Sequence, residues 1–153
     1  MGKTKHINNQ DSFQPFNKLL SKACIIDVDG TLALSNRNIY DYEASINDTP
    51  LKNSIILYNL LYNLGYKMII LTARPNSCRK TTEAWLKHHV NAFGNFELLM
   101  RKTGDSRHGS IVKEEIYLEE IKDRYDVQFV VDDSVENINI FRKYKLFTLQ
   151  VVC

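Results

Sequence analysis

The chain has 153 residues, 44% of them hydrophobic and 25% charged, with a net charge of +2. That composition suits one domain with its own core, and it excludes a strongly basic field: any contact with a polyanion must come from local basic patches. Three well-separated cysteines (Cys24, Cys78, Cys153) show no metal-ligand spacing, and no apolar run reaches the ~18 residues of a membrane span. A reducing compartment, the cytoplasm of a native or host cell, is the expectation, with no membrane partner.

Residues 1–20 are polar and read as a flexible N-terminal arm, with Phe13, Phe16, Leu19 and Leu20 anchoring its end. No signal-peptide core is present, and His6 stands where a myristoylation signal wants Ser or Thr. Gly2-Lys3-Thr4 looks like the tail of a P-loop, but the upstream glycine and strand are missing, so no nucleoside triphosphate site is expected.

Ala23–Ile26 reads as a short buried strand, followed by Asp27-Val28-Asp29-Gly30-Thr31. Side chains two apart leave a strand on one face, so Asp27 and Asp29 point into one crevice. Such a pair of carboxylates asks for a cation, and hard oxygen donors suit Mg²⁺. The plain alternative is an Asp-Gly turn ending a strand.

Residues 33–47 are irregular, carry Arg37, Tyr40 and Tyr42, and are too few for an inserted domain. Thr49-Pro50 predicts an N-cap and first helical residue, with the helix running from Leu51 to Leu64 and stopping at Gly65. Lys67–Leu71 predicts a second buried strand, ending in Thr72-Ala73-Arg74-Pro75. Asn76 or Ser77 would cap a helix reaching about His89. Phe96–Met100 predicts a third strand, followed by a loop holding Arg101, Lys102, Asp105, Arg107 and His108. Ser110 would cap a helix from Ile111 to Tyr125. Val127–Val131 predicts a fourth strand ending in Asp132-Asp133-Ser134, then a short helix to about Tyr144 and a last strand, Leu146–Val151. Alternation of this kind predicts an α/β fold with a mainly parallel sheet, and ligands beyond the carboxyl ends of its strands.

Those ends carry the candidate chemistry. The Thr72 hydroxyl and the following backbone N–H groups can hold a phosphoryl oxygen, and Arg74 adds a planar five-donor group. Lys113, read in the first turn of its helix, opposes the helix dipole there; it is assigned to the phosphate and to keeping Asp27 ionised. Asp132 reads as a metal ligand. Asp133 either caps the next helix through Asp133-x-x-Glu136, binds the metal's water, or orients Lys113. The four histidines read as surface groups, with His108 able to reach a substrate.

In chain order, Asp27-Val28-Asp29-Gly30-Thr31, Thr72, Lys113 and Asp132-Asp133 resemble the four motifs of the haloacid dehalogenase (HAD) superfamily, most of whose members are phosphatases. Asp29-Gly30-Thr31-Leu32-Ala33, Thr72-Ala73-Arg74, Gly104-Asp105-Ser106-Arg107 and Val112-Lys113-Glu114-Glu115-Ile116 resemble the 3′-phosphatase domain of bacteriophage-type polynucleotide kinase. The resemblance implies a three-layer Rossmann-like domain over residues 21–153 with minimal or no cap. It implies that Asp27 is the nucleophile, Asp29 the general acid/base and Lys113 their catalytic partner. Mg²⁺ would lie on Asp27, the Asp29 backbone carbonyl, Asp132 and Asp133. Thr72, Ala73, Arg74, Arg37 and Arg107 would bind phosphate and substrate, a 3′-phosphorylated DNA or RNA end or a nucleotide. Gly109-Ser110 departs from the pattern, since the relatives are expected to be acidic there. The alternatives carried forward are a nucleotidase or small-molecule phosphatase with the same chemistry, and a non-catalytic phosphate- or nucleic-acid-binding module. A receiver domain does not suit the D-x-D-G-T order.

Overall fold

The computed structural model describes residues 19–38, 40–90 and 96–153. The expectations for the arm, including the anchoring roles of Phe13 and Phe16, fall outside the described residues; Leu19 itself is exposed.

Five parallel strands form one sheet: β1 (Ser21–Ile26), β4 (Lys67–Pro75), β5 (Phe96–Arg101), β6 (Tyr125–Asp132) and β7 (Thr148–Gln150). Their order across the sheet is β5-β4-β1-β6-β7. The chain therefore builds outward from β1 on one side, then crosses back and builds outward on the other. That reversal opens a crevice at the carboxyl ends of β1 and β6. A two-stranded antiparallel ribbon, β2 (Ala33–Leu34) with β3 (Thr49–Pro50), follows β1.

The strands are apolar on both faces because helices cover both. Residue alternation sorts the core. Cys24, Ile26, Met68 and Ile70 face one layer with Tyr58, Trp85 and Leu86, from α1 (Lys52–Asn63) and α2 (Arg79–His89). Ala23, Ile25, Ile69 and Leu71 face the other, with Val112, Ile116 and Phe141 from α3 (Gly109–Ile116) and α4 (Val135–Lys143). The result is the expected three-layer α/β architecture.

Several boundaries differ from the sequence expectation, each for a local reason. Thr49 and Pro50 pair with β2 and do not start α1, whose N-cap is Leu51; the Thr49 hydroxyl accepts from Asn36 Nδ2 at 2.8 Å. Gly65 does stop α1: at φ 88° it closes a Schellman turn, with Gly65 N–H on Tyr62 O and Tyr66 N–H on Leu61 O. A short 3₁₀ turn, Asn76–Cys78, precedes α2, so neither Asn76 nor Ser77 caps it. α3 begins at Gly109 under an N-cap from His108, whose Nδ1 accepts from Ser110 N–H at 3.4 Å. Its helix then widens into a π turn over Tyr117–Ile121. Ser134, not Asp133, caps α4.

Trp85 ties α2 to the segment before β3. It is fully buried, and its indole N–H donates to the Asp48 carbonyl at 2.9 Å. Trp85→Ala is expected to cost about 3–5 kcal/mol in urea unfolding, from the cavity and the orphaned carbonyl together. An unshifted midpoint would show that this tie carries no load.

Candidate active site

The carboxyl ends of β1, β4 and β6 converge because the strands are parallel and adjacent. Asp27 leaves β1, and its N–H still donates to Val131 O on β6 at 3.0 Å. The chain then turns tightly: the N–H groups of Thr31, Leu32 and Ala33 all donate to Val28 O. Gly30 sits in this turn at φ 78°, and a Cβ there would run into the Asp133 carboxylate. The position demands glycine on two counts, backbone conformation and close approach.

Lys113 reaches this point from α3. Its ammonium, 3% exposed, donates to Asp27 Oδ1 at 2.6 Å and to Asp132 Oδ2 at 2.7 Å. Since α3 starts at Gly109, Lys113 is past the first turn, and the two carboxylates, not the helix end, explain its placement. Asp132 is further held by Ser134 N–H and Asn137 Nδ2, at 2.9 Å each to Oδ1. Asp27 Oδ2 accepts from the Thr31 hydroxyl at 3.3 Å.

Among the described residues, oxygens of Asp27, Asp132 and Asp133 lie within 4.8 Å of one another. Burial pushes the Asp27 carboxyl up to about 7; Asp132 and Asp29 add to this, while Lys113 opposes it. Asp133 is likewise raised by burial and by Asp132. Burial alone would lower the Lys113 ammonium, but Asp27 and Asp132 override it and hold it above the usual lysine range. Three carboxylates against one ammonium leave excess negative charge on hard oxygen donors. That fits a divalent cation such as Mg²⁺.

The Asp29 carboxylate turns away from this trio. Arg74 grips it bidentately, Nε to Oδ2 at 2.9 Å and Nη2 to Oδ1 at 2.7 Å, while Asp29 stays 41% exposed. Arg74 is 1% exposed, and its Nη2 also donates to Asp48 Oδ2 at 2.8 Å. Arg37 donates to both oxygens of Asp48, at 3.0 and 3.1 Å, and lies 3.6 Å from Asp29 Oδ1. The bidentate carboxylate forks fix each guanidinium plane. Asp48 is the residue that sequence reasoning missed. It sits in a polar stretch before Thr49-Pro50, with no local pattern to distinguish it; only its burial between two arginines does.

Thr72 is fully buried at the β4 end, its hydroxyl accepting from Arg74 N–H at 3.2 Å. Between Thr72, paired with Met100, and Pro75, paired with Arg101, the ladder is interrupted, and Ala73 and Arg74 fall in that bulge. Arg101 staples the loop that follows β5: Nε donates to Ala73 O at 2.7 Å, and Nη1 to Asp105 O at 3.0 Å and Arg107 O at 2.6 Å. Arg107 stands at the rim, half-exposed, on Asp105 and Glu115. Its hydrogen bonds hold the Asp105 carboxyl down to about 2. Gly109 lies against Ala73, where a Cβ would come within 3.2 Å of the alanine's own, so an acidic side chain would crowd this contact. His108 lies at the same rim, with Nε2 3.4 Å from Glu136 Oε2.

A cleft of ≈ 780 Å³ opens beside Asp29 and Arg74. Ser35, Tyr40, Tyr42, Arg101 and residues 105–109 are among its lining. No helix among the described residues is long and apolar enough to cross a membrane.

Residues 21–153 match the family model described as "Polynucleotide kinase PNKP phosphatase domain". A protein of Autographa californica nuclear polyhedrosis virus, provisionally named a bifunctional polynucleotide kinase/RNA ligase, is 25% identical over 150 residues, covering 96% of this chain and 22% of that protein. A chain in the structure of the Pnkp1/Rnl/Hen1 RNA repair complex is 35% identical with a TM-score of 0.81, covering 86% of this chain and 42% of that one. In another structure of the Pnkp1/Rnl/Hen1 complex the values are 32% and 0.81, with 95% and 50% covered. A class C acid phosphatase from Bacillus anthracis, at 14% identity and TM-score 0.60 over 79% of this chain and 55% of that one, shares the fold. The chain thus spans half or less of the length of its polynucleotide kinase relatives.

Removing Asp48 tests the arginine frame. Asp48→Ala takes one of two carboxylates from the buried Arg74 guanidinium, and such losses cost on the order of 3–5 kcal/mol. Urea unfolding reads this directly, and Asp48→Ala with wild-type stability would contradict the frame.

Proposed function

The chain belongs to the polynucleotide kinase phosphatase-domain family of the HAD superfamily and is a HAD-type phosphatase, and from that premise we propose that it removes 3′-phosphate from polynucleotide ends in a Mg²⁺-dependent reaction. The observation that carries the reading is the contact of one buried ammonium with Asp27 and Asp132, beside an Asp29 carboxylate clamped by Arg74. Two carboxylates are thereby held in separate electrostatic settings at one crevice, which supports giving Asp27 the role of nucleophile and Asp29 that of acid/base.

In the proposed mechanism an Asp27 carboxylate oxygen attacks phosphorus, the bond to the 3′-oxygen breaks, and Asp29 delivers its proton to that leaving oxygen. Asp29 then takes a proton from water, whose oxygen attacks the aspartyl-phosphate; the bond to Asp27 breaks and inorganic phosphate leaves. Lys113 favours the ionised nucleophile and offsets charge on the transferring group. Thr72 and the backbone at Ala73 receive phosphoryl oxygens. Arg74 and Arg37, whose donors go to Asp29 and Asp48, aim the acid/base. Mg²⁺, held by Asp27, Asp132, Asp133 and the Asp29 backbone carbonyl, would neutralise charge on the phosphoryl group. Arg107 at the rim would meet one of the substrate's neighbouring phosphates.

The substrate assay is phosphate release from 3′-phosphorylated oligonucleotides, 5′-phosphorylated oligonucleotides, mononucleotides and sugar phosphates, with Mg²⁺ and with chelator. The first substrate is expected to be preferred and chelation to stop turnover. Asp27→Asn should lower kcat by more than ~10³-fold with circular dichroism unchanged. Appreciable turnover by folded Asp27→Asn would remove the nucleophile from the scheme.

Ionic strength separates polynucleotide from mononucleotide recognition. Phosphodiester contacts release counterions, so kcat/KM for the oligonucleotide should fall more steeply with salt than that for a 3′-mononucleotide. Parallel salt dependences, with the mononucleotide faster, would favour a nucleotidase.

A further inference from the structure

The cleft beside Asp29 is lined by two kinds of group. Arg101, Asp105, Arg107 and His108 are charged or polar. Ser35, Tyr40 and Tyr42 add rings and hydroxyls, without a charge. We propose that Tyr40 is the stacking platform for the 3′-terminal nucleobase of the substrate, a proposal that rests on the 3′-end reading above and adds how that end is gripped.

Tyr40 is 75% exposed, yet its backbone is pinned. Its N–H donates to Asn38 Oδ1 at 3.0 Å, and Asp41 N–H donates to Asn38 O at 2.9 Å. A turn thus presents the ring. Tyr42 behaves differently: it packs against the core, with the Arg37 guanidinium 5.8 Å from its ring centroid. Tyr42 is close enough to Asp29, Arg101 and Tyr40 for its hydroxyl to feel all three. The cleft lining therefore offers one half-buried ring and one exposed ring.

An exposed aromatic face gains from being covered, and a flat π-system covers it best. On a 3′-phosphorylated end the one such group is the base, separated from the phosphate by a single sugar. The cleft, at ≈ 780 Å³, is in the range that holds a small ligand and larger than a bare phosphate needs. Stacking is blind to base identity because every base has a π-face, so Tyr40 would grip any terminal nucleotide without selecting its sequence.

The test compares wild type, Tyr40→Phe and Tyr40→Ala on two 3′-phosphorylated oligonucleotides, one ending in a normal nucleotide and one in an abasic sugar. Tyr40→Ala should lower kcat/KM on the base-bearing end by about 5- to 150-fold, chiefly through KM, and leave the abasic end unchanged; Tyr40→Phe should retain activity on both. The base-bearing end should be turned over at similar kcat/KM whichever of the four bases it carries. If wild type releases phosphate from both ends and Tyr40→Ala is unaffected, or loses equally on both, the stacking proposal alone is overturned. If wild type releases phosphate from neither, the 3′-end reading fails and takes this proposal with it.

Discussion

The buried contact of Lys113 with Asp27 and Asp132 is the constraint on which the rest of the site depends. Two carboxylates at the ends of adjacent parallel strands repel in a medium that screens them poorly. One ammonium between them makes that arrangement tolerable, and it comes from the helix that follows β5 and leads into β6. The sheet order is therefore tied to the chemistry. The reversal of strand order at β1 puts β6 beside it, and α3, packed on that face, carries a cation to both strand ends.

A second network works one step out from Asp27. Asp48 holds Arg37 and Arg74, and Arg74 holds Asp29. The carboxylates of Asp27 and Asp29, two residues apart in the chain, thus end in different surroundings. Asp27 is buried against an ammonium; Asp29 is half in solvent, gripped by a guanidinium. Different environments are what allow chemically identical groups to take different roles. The cleft beside Asp29 continues this variety, its lining combining tyrosine rings with charged groups.

Gly30 and Gly109 show how closely packing and chemistry are coupled here. At Gly30 a positive φ and the Asp133 carboxylate leave no room for a side chain, so the turn after β1 and the carboxylate at the end of β6 are fitted to each other. Gly109 opens α3 close against Ala73, where a Cβ would come within 3.2 Å of the alanine's own.

The strands, their parallel sense and the carboxyl-end placement of Asp27, Thr72 and Asp132 were legible from the chain, because apolar runs, turn glycines and the two-residue period are local signals. Lys113 was legible too, through a charge that sat badly in its expected helix turn, although the expected turn was one too early. Tertiary structure alone decided the rest. Thr49 and Pro50 left the helix for a ribbon because Ala33 and Leu34 lay opposite them. His108 and Ser134 displaced Ser110 and Asp133 as caps once loop geometry set the helix starts. Arg74 went to Asp29 and Asp48, partners far from it in the chain, and Asp48 became central through burial. The physical reason is the same in each case: local pattern determines which face of an element is apolar, whereas the partner of a buried charge is set by which strand ends the topology brings together.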